Sequence, residues 1–139
     1  MLALNPILID ALHDTGADAR SWAAQSLGSL AQASPELVIP VLINTLRDSN
    51  SNVREGAAES LGPLDWEIIT NVANAALLNA LRDKVSRVRL AAAKSLSQIE
   101  QEKTSSEAVV ALFKMLHDKN IGVRRSAAES LLLPGQTSP

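Results

Sequence analysis

With 139 residues and a net charge of −2, the chain has the length of one domain or one short array of repeats. It lacks the basic excess that neutralising a nucleic-acid backbone requires. There is no cysteine, which excludes disulfides, thiolate metal sites and thiol nucleophiles together. Aromatics are 2% of residues against 46% apolar, so Ala, Leu, Ile and Val must fill the core. The charge is uneven, with 3 basic and 7 acidic groups in residues 1–64 but 10 and 8 in residues 65–139.

Taken in chain order, residues 1–12 are apolar but carry no basic start, and Asn5, Pro6 and Asp10 break the run. That pattern fits neither a signal peptide nor a membrane span, and makes the cytoplasm the expected compartment and a membrane an unexpected partner. Met1, Leu2, Leu4, Ile7 and Leu8 leave this end apolar almost all round, an end suited to self-association or to meeting another domain. Leu8, Ile9 and Leu12 open a helical stripe that recurs three times, as Leu42, Ile43 and Leu46, as Leu77, Leu78 and Leu81, and as Leu112, Phe113 and Leu116. Each of these first helices (helix A) closes on a Leu-x-Asp, whose aspartates, Asp14, Asp48, Asp83 and Asp118, stand 34, 35 and 35 residues apart. Start signals agree: Ser34-Pro35-Glu36, Asp65 before Trp66-Glu67, and Thr104 with Glu107 as a capping box.

After each aspartate comes a short turn, with Gly16, Asn50 and Asn120 placed to cap the next helix. The third copy has Val85 there, a poor cap, so Ser86 is expected to take the role. The second helix (helix B) then carries four versions of one string: DARSWAAQSLG (18–28), NVREGAAESLG (52–62), RVRLAAAKSLS (87–97) and GVRRSAAESLL (122–132). It should end near Leu30, Leu64, Ile99 and Leu133, with Pro63 and Pro134 marking two of the stops. On a helical wheel Val53, Ala57, Leu61 and Leu64 share one side, while Glu55, Gly56 and Glu59 point the other way. The recurring Ala-Ala pair allows close helix approach. Ser26, Ser60, Ser95 and Ser130 lie at the edge of that close face, and with no base to activate them they read as packing residues.

A fixed period in this range is the signature of a solenoid, whose units stack because none can bury its apolar face alone. The pattern Leu-x-Asp followed by Val-Arg-x-x-Ala-Ala-x-Ser-Leu-Gly resembles HEAT repeats, especially the short bacterial variety of phycobilin-lyase-like proteins and designed arrays. The resemblance implies an all-α chain, an α-solenoid (superhelix) of about four HEAT-like helical hairpins, stacked right-handed with the B helices lining the concave side. It also implies an inter-repeat ladder between Asp14, Asp48, Asp83 and Asp118 and Arg20, Arg54, Arg89 and Arg124. An arginine flanking a buried stripe does need such an acceptor. Ala19 and Leu132 depart from the pattern, both in terminal copies. The expected organisation is a single domain over 1–139, with repeats at about 1–33, 34–64, 65–100 and 101–133 and a disordered tail at 134–139.

His13 and His117 occupy the position held by Arg47 and Arg82 in the other copies, where a basic group suits the end of helix A. They lie too far apart to share a metal, and no catalytic or phosphate-binding motif is present, so neither enzyme activity nor a metal or cofactor is expected. Binding remains. The outward positions of helix B, at Trp22, Gln25, Glu55, Glu59, Leu90, Lys94, Arg125 and Glu129, vary freely while the buried ones do not, which marks them as candidate contacts for a protein partner. Trp22, at an outward position where the other copies carry Gly56, Ala91 and Ser126, is either such a contact or a cover for the open N-terminal edge. Trp66 more simply packs between repeats or staples a helix start. A scaffold for protein–protein interaction on the concave face is the expected function. A non-catalytic or accessory subunit of a phycobilin lyase or isomerase is the alternative, although a tetrapyrrole's propionates would find few bases beyond Arg87, Lys94 and Arg125. Nucleic-acid binding in the manner of HEAT-like alkylpurine DNA glycosylases is opposed by Glu55, Glu59 and Glu129.

Overall fold

The structure, a computed structural model, describes residues 6–30, 33–62, 71–98 and 106–132. Among them are eight α-helices and no strand: α1 (Pro6–Leu12), α2 (Ala17–Leu30), α3 (Pro35–Thr45), α4 (Ser51–Leu61), α5 (Asn71–Ala80), α6 (Ser86–Ser97), α7 (Ser106–Met115) and α8 (Ile121–Leu131). The odd-numbered helices are the A helices and the even-numbered ones the B helices. The signals at Asp65, Trp66 and Thr104, the Pro63 and Pro134 stops, the end at Met1 to Leu4 and the 134–139 tail lie outside the described residues.

Local chemistry sets the junctions. In the turn after each A helix the aspartate carboxylate accepts from the backbone N–H two residues on: Gly16 on Asp14, Asn50 on Asp48, Val85 on Asp83 and Asn120 on Asp118, at 2.7–2.9 Å. Asn50 then caps α4 by accepting from the N–H groups of Asn52 and Val53, and Asn120 caps α8 through Val123. The expectation for the third copy does not hold. Val85 keeps the N-cap position with extended backbone and no side-chain bond, and Ser86 is the first helical residue. The aspartate turn fixes the chain direction there without help from a capping side chain.

Each A helix folds back on its own B helix, and each B helix packs along the next, α2 on α4, α4 on α6, α6 on α8. Leu27, Leu42, Leu61, Leu77, Leu81 and Leu112 are fully buried between the two layers, with Val38, Val53, Val88 and Val123 beside them. The first three Ala pairs are sealed as well, at 0% exposure for Ala23, Ala24, Ala57, Ala58, Ala92 and Ala93, while Ala128 of the fourth, with no described B helix beyond it, is exposed. The A helices meet far less. Grooves of about 440 Å³ and 630 Å³ open between α3 and α5 and between α5 and α7. Close contact in one layer and gaps in the other bend the stack toward the B helices.

Phe113 departs from the expected stripe. It is 55% exposed, and Leu37, Val72 and Val110 on the same layer are exposed too. An A helix splayed from its neighbour buries only the edge facing its B helix, here Ala108 and Leu112 on α7.

Candidate functional site

The B helices hold the candidate site, and their residues divide by what each side touches. Counting from the ladder arginine, the residue two places on packs back against the preceding repeat. Gly56, Ala91 and Ser126 are buried there, and a Cβ on Gly56 would lie 3.4 Å from Gln25 Cγ and 3.8 Å from Ala24 Cβ. The outward placing of these three residues on a free face is therefore corrected. Trp22 holds the same position in α2, where no described B helix precedes it, and stays 53% exposed.

The next residues along each B helix fill the core, and those four and eight places beyond the arginine face the following repeat. Ser60 Oγ donates to the Ala24 carbonyl at 3.0 Å, Ser95 Oγ to that of Ala58, and Ser130 Oγ to that of Ala93 at 3.2 Å. The serine row is thus a second inter-repeat ladder. Its closeness dictates the glycines: a Cβ on Gly28 would come within 2.7 Å of Ser60 Oγ, and one on Gly62 within 2.8 Å of Ser95 Oγ. Leu132, the departure noted in the fourth copy, stands 52% exposed on extended backbone with no described helix packed over it.

The arginine ladder runs forward, from each repeat to the aspartate of the next. Arg20 grips Asp48 with Nε at 2.8 Å and Nη2 at 3.0 Å, Arg54 grips Asp83 at 2.8 and 3.1 Å, and Arg89 grips Asp118 at 2.7 and 3.1 Å. The third amine, Nη1, donates to the backbone carbonyl of the repeat's own aspartate, Asp14, Asp48 and Asp83 in turn. Two residues assigned to the ladder hold only part of a rung. Asp14 offers its carboxylate to Gly16 N–H and its carbonyl to Arg20, while Arg124 reaches the Asp118 carbonyl at 2.7 Å. A forward ladder gives a first aspartate no preceding arginine among the described residues, and a fourth arginine no following aspartate.

Burial works to raise the pKa of Asp48, Asp83 and Asp118. The arginine's hydrogen bond, the backbone N–H two residues on and the arginine's charge together outweigh it and hold all three below the usual carboxylate range. Arg20 is raised in turn, chiefly by its bond to Asp48.

What the stack leaves over faces the inner side. A groove of about 560 Å³ runs between α2, α4 and the start of α6, lined by Asp18, Trp22, Gln25, Glu55, Glu59 and Arg87 among others. Four of the eight candidate contacts meet here: Trp22, Gln25, Glu55 and Glu59. Lys94, Arg125 and Glu129 are exposed further along α6 and α8, outside the groove. Leu90 is half-buried and packs forward, since a Cβ on Gly122 would lie 3.5 Å from its methyls, so it belongs to the stack rather than the open surface. Glu55 accepts an ion pair from Arg87 of the next repeat at 3.3 Å, with the arginine 68% exposed. Glu59 is pushed above the usual carboxylate range, first by desolvation between the groove walls and then by the charge and hydrogen bond of Glu55, one turn away; Lys94 and Arg87 pull the other way. Sequence reasoning passed over Asp18 and Asn52, and weighed Arg87 only as a base for a tetrapyrrole. All sit in the first turn of a B helix, one turn before the outward positions, a spacing that helical periodicity could have supplied. No cluster of groups fit to hold a metal occurs among the described residues.

A two-layered stack of helical hairpins, one layer locked repeat to repeat and its inner edge free, defines an α-solenoid. The description "HEAT repeats" matches residues 5–69 and, a second time, residues 67–133, and the chain belongs to the HEAT repeat family. Two solved structures share the fold at 24% identity. One is an engineered protein from the Northeast Structural Genomics Consortium, aligned at a TM-score of 0.72 over 92% of this chain; the chain spans 62% of that protein's length. The other is the complex of CpcE and CpcF of phycocyanin lyase from Nostoc sp. PCC7120, at a TM-score of 0.74, covering 91% of this chain and 79% of that one. No curated protein matches the sequence.

Proposed function

We propose that the chain is a non-catalytic scaffold that binds a protein partner along the inner surface of its B helices. One observation carries this reading. In the middle repeats every other face of the B helix is consumed by the stack, for α4 backward through Ser60 and Gly56, forward through Ala58, Gly62 and Arg54, inward through Ala57 and Leu61. Along the remaining side lie Gln25, Glu55, Glu59, Lys94, Arg125 and Glu129, and these differ from copy to copy. A surface whose residues vary over an unvarying frame is what recognition of a particular partner requires.

A photo-crosslinking residue placed in turn at Gln25, Lys94 and Glu129, and at Leu37 and Val110 of the outer layer, tests this. The reading expects one partner captured from the inner positions. Capture confined to Leu37 and Val110 would overturn it.

A second reading, an accessory subunit of a phycobilin lyase, is supported by the likeness in fold to the CpcE and CpcF complex. Mixing with a linear tetrapyrrole should then shift the pigment's visible absorption. The groove favours the first reading, because Asp18, Glu55 and Glu59 oppose the anionic propionates of such a pigment.

A further inference from the structure

The groove at the N-terminal half of the inner surface has a chemistry of its own. Three carboxylates, Asp18, Glu55 and Glu59, line it against one base, Arg87, and an exposed indole stands among them. Trp22 takes the place that Gly56, Ala91 and Ser126 fill with small side chains, and it lines the groove while staying 53% exposed. The fold itself shows what the floor accepts. The Arg87 guanidinium, reaching over from the next repeat, lies 3.3 Å from Glu55 and remains largely open to solvent. Glu59 gains no such partner from Arg87 and is repelled by Glu55.

The geometry points to an arginine- or lysine-bearing extended segment of a partner protein as the occupant, its cation held between the Trp22 ring and the carboxylates of Glu55 and Glu59. The assignment rests on the inner-surface reading above and adds the partner's chemistry. An aromatic face attracts a cation through its quadrupole, and more strongly once both are withdrawn from water. A guanidinium also satisfies carboxylates through its fork of N–H donors, as Arg87 begins to do. Paired with Trp22, the groove selects for positive charge where the same indole beside neutral residues would select only for apolar surface. Arg87 acts as a built-in competitor, neutralising Glu55 until a partner's cation replaces it.

A labelled peptide of alternating glycine and arginine, titrated with the whole chain and followed by fluorescence anisotropy, tests the assignment. The control is the same peptide with citrulline at each arginine, which keeps the shape and loses the charge. The arginine peptide should bind about tenfold more tightly than its citrulline counterpart, and Trp22→Ala or Glu59→Gln should each weaken it by about tenfold. Arg87→Ala should tighten it several-fold, and Glu36→Gln on α3 should change nothing. Melting curves show that each variant is folded, and Glu59→Gln, which relieves a repulsion, should melt no lower than the parent. Equal binding of the two peptides, or an affinity untouched by Trp22→Ala and Glu59→Gln, overturns the assignment. If cross-linking still captures a partner from Gln25, Lys94 and Glu129, the scaffold stands and only the cationic occupant falls.

Discussion

Arg89 and Asp118 are each less than a tenth exposed, against 16% and 14% for Arg20 and Asp48, so the ladder is driest toward the C-terminal repeats. A rung in that position is costly to break from one side, because the surviving carboxylate stays desolvated. Arg89→Ala is therefore expected to destabilise the fold by about 2–3 kcal/mol, read as a lowered melting temperature. The effect depends on pH in a definite direction. Asp118 is held below the ordinary carboxylate range, so its contribution is complete above the unfolded-state pKa and disappears as pH falls through the native one. The difference between parent and variant should be widest near neutrality and shrink in acid. A gap that stays constant down the acid range would show that the rung's charge is not its source of stability. That an arginine and an aspartate would pair was legible in the sequence. The forward direction was not, because a period places both residues in every repeat and is silent on which neighbour each one reaches.

At the scale of the helix, the B string proved readable almost position by position, and the reason is contact on nearly every side. Val53, Ala57 and Leu61 are fully buried as the wheel placed them. Leu61→Ala, which leaves a cavity between the two layers, should cost about 2–5 kcal/mol, measurable by denaturant midpoint at unchanged slope. A loss below about 1 kcal/mol would mean that the stack can collapse around the gap. The failures have one physical cause. Gly56, Ala91 and Ser126 looked outward because a single helix read alone has two faces, core and solvent, whereas a helix in an array has four. Phe113 looked buried for the complementary reason: its helical spacing is right, but its equivalents Ile43 and Leu78 face the A helix that follows them, and no described A helix follows α7. Trp22 had no signal beyond being the odd residue of its column.

Across the described repeats, each makes its demands only on its immediate neighbours. Arg54 finds its aspartate one repeat ahead in Asp83, and Gly62 leaves the room in which Ser95 reaches back to the Ala58 carbonyl. Duplicating residues 48–82 in tandem should therefore give a longer array with every rung satisfied, and one that melts no lower than the parent. Aggregation or a lower melting temperature would show that the rungs are not interchangeable.

The difference between the two layers also has a mechanical side. The inner helices already touch backbone to backbone through their alanines and glycines, whereas the outer ones stand apart with Leu78, Val110 and Met115 along the gaps. Such a body behaves as a leaf spring with one inextensible leaf. Straightening shuts the outer gaps and hides oily surface, while tighter curling exposes more of it, so the soft deformation is toward a flatter, wider cradle that can widen for a bulky guest.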